Sequence, residues 1–346
     1  MGRPLTAAFA VAVALCTVFA PGGSGAAQKT VSFTWVGDIA MVGSSDGGAG
    51  FFSSSIRQSL RSDVVIGNLE GTLTTRGYSK CGANSTQCFA FRAPPSYASV
   101  LRRAGFTLMN VANNHAYDYG SQGQADTLAA LRSVGLRWTG RPGQISVITV
   151  RGVRVAVVGF APYSWAQSLT DISAAQRIVR RARAEANLVV VIMHAGAEGV
   201  DHQHVHAGTE WFLGENRGDA EDFSHAVVDA GANLVLGSGP HVLRGMEWYH
   251  GRLIAYSLGN FLGDGTLSIG GILGDSAILH VTLGANGAWV HADLVPVRLV
   301  SPGVPVVEQG GPSPTIVREL SEQDFGRNAM RVTAAAQLLP PAWRTG

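Results

Sequence analysis

The chain has 346 residues, of which 46% are hydrophobic and 14% charged, with a formal net charge of +2. This is the composition of a globular protein with one large domain or two small ones. It provides no global field to attract nucleic acid or an acidic membrane, so nucleic acid is not an expected partner.

Arg3, the apolar run Leu5–Ala20 and the small-residue stretch Pro21–Ala27 read as an export signal cut after Ala27. An uncleaved anchor fits the same segment, although its apolar run is short for a membrane-spanning helix. Export predicts an extracytoplasmic protein, secreted or associated with the cell envelope. It also removes Cys16 and leaves Cys81 and Cys88 as an even pair in an oxidising compartment. The six residues between them are small and polar, which fits a disulfide-closed loop; two free thiols are the other reading.

From Val31 onward, short apolar strands alternate with amphipathic helices. The strands are expected at Val31–Gly37, Asp63–Gly67, Thr107–Ala112, Val153–Phe160, Asn187–Met193 and Asn233–Gly237, each nearly continuous in apolar residues. Tyr97, Val100, Leu101 and Ala104 mark one helix, ending at Gly105. Ser121 and Gln124 form a capping-box signature for a second, which stops at Gly135. Phe223, Ala226, Val227 and Ala230 mark a third. Beyond Pro240 the pattern turns β-rich, with strands at Val242–Tyr249, Arg252–Ser257, Ser276–Leu283 and Ala288–Leu299. Ser301–Pro314 is expected to wrap the surface, and Glu319–Leu338 to form a last helix. The domain plan is a signal over 1–27, one α/β domain over 28–300 and a C-terminal extension over 301–346.

Five apolar runs end in residues a metal would choose: Asp38; Asn68 and Glu70; Asn113, Asn114, His115 and Asp118; His194 and Glu198; and His241. In open α/β sheets the ligand crevice lies beyond the carboxyl ends of the strands. Any one of these residues could be a satisfied core or turn residue, but five strand ends in succession point to a site.

The words GDIAM from Gly37, NLEGTLT from Asn68, ANNHAYDYG from Ala112, HAGAEG from His194 and IAYSLGNF from Ile254 resemble the signature set of the bacterial capsule-synthesis CapA family. The resemblance spans about Val31 to Asp264. It implies an α/β fold, a four-layer α/β/β/α sandwich of the metallophosphoesterase type, with a metal site at the strand ends. It also implies a role in making, exporting or trimming an anionic capsule polymer such as poly-γ-glutamate. Carried over residue by residue, Asp38, Glu70, Asn114, His194 and His241 would be metal ligands, and His115 a catalytic acid or charge stabiliser. A mixed nitrogen and oxygen donor set suits one or two ions of manganese, zinc or iron better than calcium or magnesium. Asn68, Asn113, Glu198 and Asn260 are the further polar candidates for substrate contact. Arg92, Arg217 and Arg244, single arginines in or near motif loops, are candidates for gripping a carboxylate or phosphate.

The sequence departs from the pattern in two places. Asp38-Ile39-Ala40 lacks the histidine of an Asp-x-His motif, and Ser238 and Gly239 stand where a further histidine is usual. His202, His204 and His206 would face one way in an extended chain and could substitute; solvated loop histidines are the other reading. Arg177, Arg180 and Arg181 share a helix face that is either solvated or a bed for a polyanion. The competing function is a non-catalytic assembly factor that binds polymer or a membrane-bound capsule synthase.

Overall fold

Runs that are apolar at every position can only sit between two covered faces, and the strands they form are buried throughout. A computed structural model describes residues 1–2, 29–82 and 88–342. The segment assigned as an export signal lies outside the described residues, apart from Met1 and Gly2. Among the described residues, no helix is long and apolar enough to cross a membrane.

Two main sheets are present among the described residues. The eight-stranded sheet runs in the order Val304–Val307, Trp289–Val300, Asp275–Gly284, Thr30–Ile39, Val64–Leu69, Leu108–Asn110, Arg137–Thr139, with Asn260–Leu262 paired to the end of Thr30–Ile39. The six-stranded sheet runs Met246–Tyr249, Arg252–Ala255, Leu234–Ser238, Leu188–His194, Val153–Phe160, Ser146–Val150.

Alternation along the strands builds the layers. Phe33, Trp35, Val155, Val157, Val190 and Ile192 share one core between the sheets. Their neighbours point outward. Val65 and Leu69 pack on Ile56, Leu101 and Leu131 of three helices, and Val158 and Val191 pack on Val179 and Phe223 of two others. The result is the expected four-layer α/β/β/α sandwich.

Strand register then sets the polar ends side by side. Asp38 lies opposite Asn68 on one flank and Asn260 on the other, and Asn68 lies opposite Asn110. In the second sheet His194 lies opposite Ser238. Gly37 permits this arrangement: a Cβ there would fall 1.8 Å from the Gly259 carbonyl oxygen, so no larger residue fits.

Several elements differ from expectation. The strands of the β-rich second half are shared between both sheets rather than following one another in one. Only Met246–Tyr249 of Val242–Tyr249 is strand, because His241 enters the left-handed region (φ 61°) and turns the chain. Ser301–Pro314 includes the strand Val304–Val307, which extends the larger sheet. The last helix is Ser313–Phe325: Pro314 suits its first turn, and Gly326 stops it well before Leu338. The capping box at Ser121 does not form, since the helix already begins at Gly120 and has no side-chain cap.

Candidate metal centre

Asp38, Glu70 and His241 offer ligand atoms that all lie within 4.8 Å of one another. Asp38 and Glu70 follow adjacent parallel strands and are fully buried, and His241 reaches over from the second sheet. Its Nδ1 is 3.3 Å from Asp38 Oδ2, and its Nε2 is 3.6 Å from Glu70 Oε1 and from Glu198 Oε2. His194 closes the opposite side, with Nε2 3.9 Å from Glu70 Oε1.

Buried polar atoms normally find partners, so those left unpaired show what a donor set lacks. Both carboxylate oxygens of Glu70, Asn114 Oδ1 and His194 Nε2 are buried with no hydrogen-bond partner. All four are acceptors or potential ligand atoms with a lone pair, drawn from three separate strand ends. A cation beside Glu70 and His194 would satisfy the carboxylate and the imidazole nitrogen, and Asn114 offers a further unpaired oxygen, so the residues fit a divalent metal.

Electrostatics agree. Burial and the neighbouring Asp38 push the Glu70 carboxyl well above the usual range. Burial alone would raise Asp38 too, but its hydrogen bond to His241 and the nearby imidazoles hold it below the ordinary value. His241 is also buried, yet Glu70, Asp38 and Glu198 raise it to about 10. Burial lowers His194 well below the ordinary value, leaving a neutral imidazole suited to ligation.

An amide network holds the ligands. Asn110 Nδ2 and Asn113 Nδ2 donate to Asn68 Oδ1 (2.9 and 3.0 Å), and Asn68 Nδ2 donates to Asp38 Oδ1 (2.8 Å). Asn260 Oδ1 lies 2.8 Å from His241 Nδ1, which directs Nε2 toward Glu70. His115 is positioned by Asp118, whose Oδ2 is 2.8 Å from its Nδ1, and its ring stacks on Phe91. Asp118 also accepts from the Phe91 amide and pairs with Lys80. Burial lowers the His115 imidazole, although Asp118 opposes the shift.

A family model for the bacterial capsule synthesis protein PGA_cap matches residues 32–265. The chain belongs to this family. This capsule-synthesis family member is 30% identical over 279 residues to PGA biosynthesis protein CapA of Bacillus subtilis (strain 168), a match covering 75% of this chain and 68% of that one. It is likewise 30% identical to capsule biosynthesis protein CapA of Bacillus anthracis, covering 73% and 60% respectively. The chain therefore spans 60–68% of the length of these relatives. Among solved structures, a 5'-nucleotidase precursor from Thermus thermophilus aligns with a TM-score of 0.38 at 13% identity, covering 78% of this chain and 54% of that one.

In the capsule-synthesis family member, Asn114, His115 and His241 line the crevice while Asp38, Glu70 and His194 are fully buried, and the substrate candidates divide. Glu198 and Arg217 line the crevice and pair with each other at 2.5 Å, while Arg217 Nε and Nη2 have no partner. Asn68 and Asn113 are fully buried, with their amides committed to the ligand network. Asn260 both lines the crevice and holds His241. Arg244 is fully buried, with its guanidinium clamped on Glu210 and the His202 carbonyl. Arg92 is exposed and lies over the Tyr119 ring.

His202, His204 and His206 do not converge. Val200–His202 is a 3-10 turn rather than extended chain, and His204 pairs with Asp324. The helix carrying Arg177, Arg180 and Arg181 is Ile172–Glu185, and Arg181 pairs there with Glu185. Cys81 and Cys88 are joined in a disulfide. Sequence reasoning gave no role to Asn110 or Lys80. Asp118, singled out at its strand end as a metal-seeking residue, instead holds His115, three residues before it.

Proposed function

We propose that this protein acts outside the cytoplasm as a divalent-metal-dependent hydrolase on an anionic capsule polymer of the poly-γ-glutamate kind. The observation that carries the reading is the set of four unpaired buried atoms around Glu70. A manganese, zinc or iron ion held by Asp38, Glu70, Asn114, His194 and His241 would supply Lewis acidity and neutralise charge developing at the cleaved group. The polymer class rests on the names of the two Bacillus relatives, one given to PGA biosynthesis and the other to capsule biosynthesis.

The chain's own residues have distinct tasks. Arg217 lines the crevice and has two buried nitrogens that no protein group satisfies; with Lys80, which also pairs with Asp118, it would attract an anionic group. His115 donates Nδ1–H to Asp118, so its Nε2 is unprotonated and can accept a proton. Burial of the Asp38 and Glu70 carboxylates keeps bulk water from screening them.

A second reading, a non-catalytic polymer-binding or assembly factor, draws support from Ser238 and Gly239. They leave the second sheet with only His194 and His241 as imidazoles at this end. Turnover of synthetic poly-γ-glutamate and of simple phosphoesters by metal-loaded protein separates the two. The hydrolase reading expects metal-dependent cleavage that falls about 100-fold or more in His115→Ala. Polymer binding with no cleavage under any of the three metals would leave the assembly reading standing.

A further inference from the structure

The crevice beside the proposed ligands Asn114 and His241 has two adjoining lobes that share two aromatic rings and differ in their remaining walls. One, of about 190 Å³, carries Lys80, Asn114 and Arg217. The other, of about 230 Å³, is walled by Phe89, Phe91, Phe212, Leu267 and Leu273 and includes His241. Phe89, Phe212, His115 and Glu198 line both, so the two rings and the reacting centre sit at the junction, and Phe91, Leu267 and Leu273 belong to the second lobe alone. The carboxylates of an anionic polymer find lysine and arginine partners only in the first lobe, which leaves the second for an apolar part of the substrate.

The apolar walls are not core residues that happen to be near. Phe89 is 59% exposed, although a ring of that size is normally covered. Phe212 is carried on the short hairpin Trp211–Phe212 and Glu215–Asn216. That hairpin is tied down at its base: Glu210 pairs with fully buried Arg244 and accepts the Ala197 amide, and Glu215 accepts from Tyr163. The aromatic ring is therefore held beside the crevice by the polar ties of its hairpin and by an edge contact with the His202 ring. Leu273 approaches from a third segment, whose carbonyl accepts from the Asn260 amide. Three segments distant in sequence thus present apolar groups to one small space next to the metal ligands.

We infer that this lobe is a specificity subsite for one ring-sized apolar group attached beside the scissile bond. The preferred substrate is then amphipathic, with its anionic part toward Lys80 and Arg217 and its apolar part between Phe89 and Phe212. The size fits, since an apolar cavity of roughly 150 Å³ already holds a benzene ring. A long alkyl chain would outrun the lobe. The inference rests on the reading of Asp38, Glu70 and His241 as a metal centre, and the test separates the two.

The full chain, loaded with manganese, is titrated calorimetrically with phenylphosphonate and with methylphosphonate. Both present the same anion and differ only in the apolar group, so the affinity ratio reports the lobe and not the chemistry. Burial of one ring predicts phenylphosphonate binding roughly 10- to 100-fold more tightly. Phe212→Ala should bring the ratio to about 3 or less, with Phe89→Ala intermediate and Phe212→Leu retaining most of it. Glu70→Gln should instead weaken both ligands together through loss of metal. A wild-type ratio near one, or a ratio that neither aromatic change alters, overturns the subsite while leaving the metal centre intact. Binding of neither ligand also overturns it, and the metal content of the same sample then shows whether the metal centre fell with it.

Discussion

Glu70→Gln should affect stability in opposite directions with and without metal. In the metal-free protein, Glu70 is fully buried, both its oxygens lack hydrogen bonds, and Asp38 lies close by. Leaving such a group unpaired costs about 1–3 kcal/mol. Glutamine keeps the volume but removes the charge, so in chelator the variant should be more stable than wild type, by about 1–2 kcal/mol after allowing for a partly unsatisfied amide. For a chain of this size that is an increase of about 1.5–3 °C in Tm. At a metal concentration about 100-fold above Kd, wild type should gain about 2.7 kcal/mol and the variant almost nothing. The order of the two proteins therefore reverses between chelator and manganese. Thermal unfolding of both proteins, monitored by fluorescence at one scan rate in each buffer, makes the comparison. If Glu70→Gln is destabilised equally in both buffers, the carboxylate is a structural group and its unpaired oxygens do not mark a metal site.

Three further outcomes follow from single features. Gly37→Ala places a methyl 1.8 Å from the Gly259 carbonyl oxygen, so it should cost about 3 kcal/mol or more in a denaturant titration; a loss below about 1 kcal/mol would mean that the strands separate easily there. Replacing Cys81 and Cys88 together by serine opens a loop with a sequence separation of 7, which the chain-entropy relation values at about 2–3 kcal/mol; unchanged stability would show that the loop is ordered without its bond. Burial lowers His225, but its bond to Glu247 and the charges of Glu221 and Asp229 raise it above 6.5. Its contribution is thus complete below pH 6.5 and lost as pH rises through the folded value. His225→Gln should flatten the decline in stability above that pH, leaving a slope of the same sign from His280 beside Asp293 and, in metal-free protein, from His241; an unaltered slope would assign it elsewhere.

The sequence made the sandwich legible because its strands are apolar on both faces and end abruptly in polar residues. Asp38, Glu70, His194 and His241 could be picked out at those ends without any knowledge of pairing. What could not be read was which polar residues face the crevice and which serve one another. Arg244 resembles a substrate-gripping arginine until Glu210, 34 residues away, is found clamped to it. Asn68 and Asn113 resemble substrate contacts until strand register places them behind Asp38. The histidines at 202, 204 and 206 suggested convergence only on the assumption of extended backbone, and a 3-10 turn breaks that period. The apolar lobe was least accessible, because Phe89, Phe212 and Leu273 lie on three distant segments with no shared periodicity.

Everything proposed for the crevice depends on Glu70 anchoring a metal centre at the strand ends. The most direct test is metal stoichiometry of wild type and Glu70→Gln, equilibrated side by side with manganese, zinc or iron and freed of excess ion. The account predicts one or two ions per wild-type chain and a marked loss in the variant with its fold preserved. Wild-type protein that retains no metal under these conditions would contradict it.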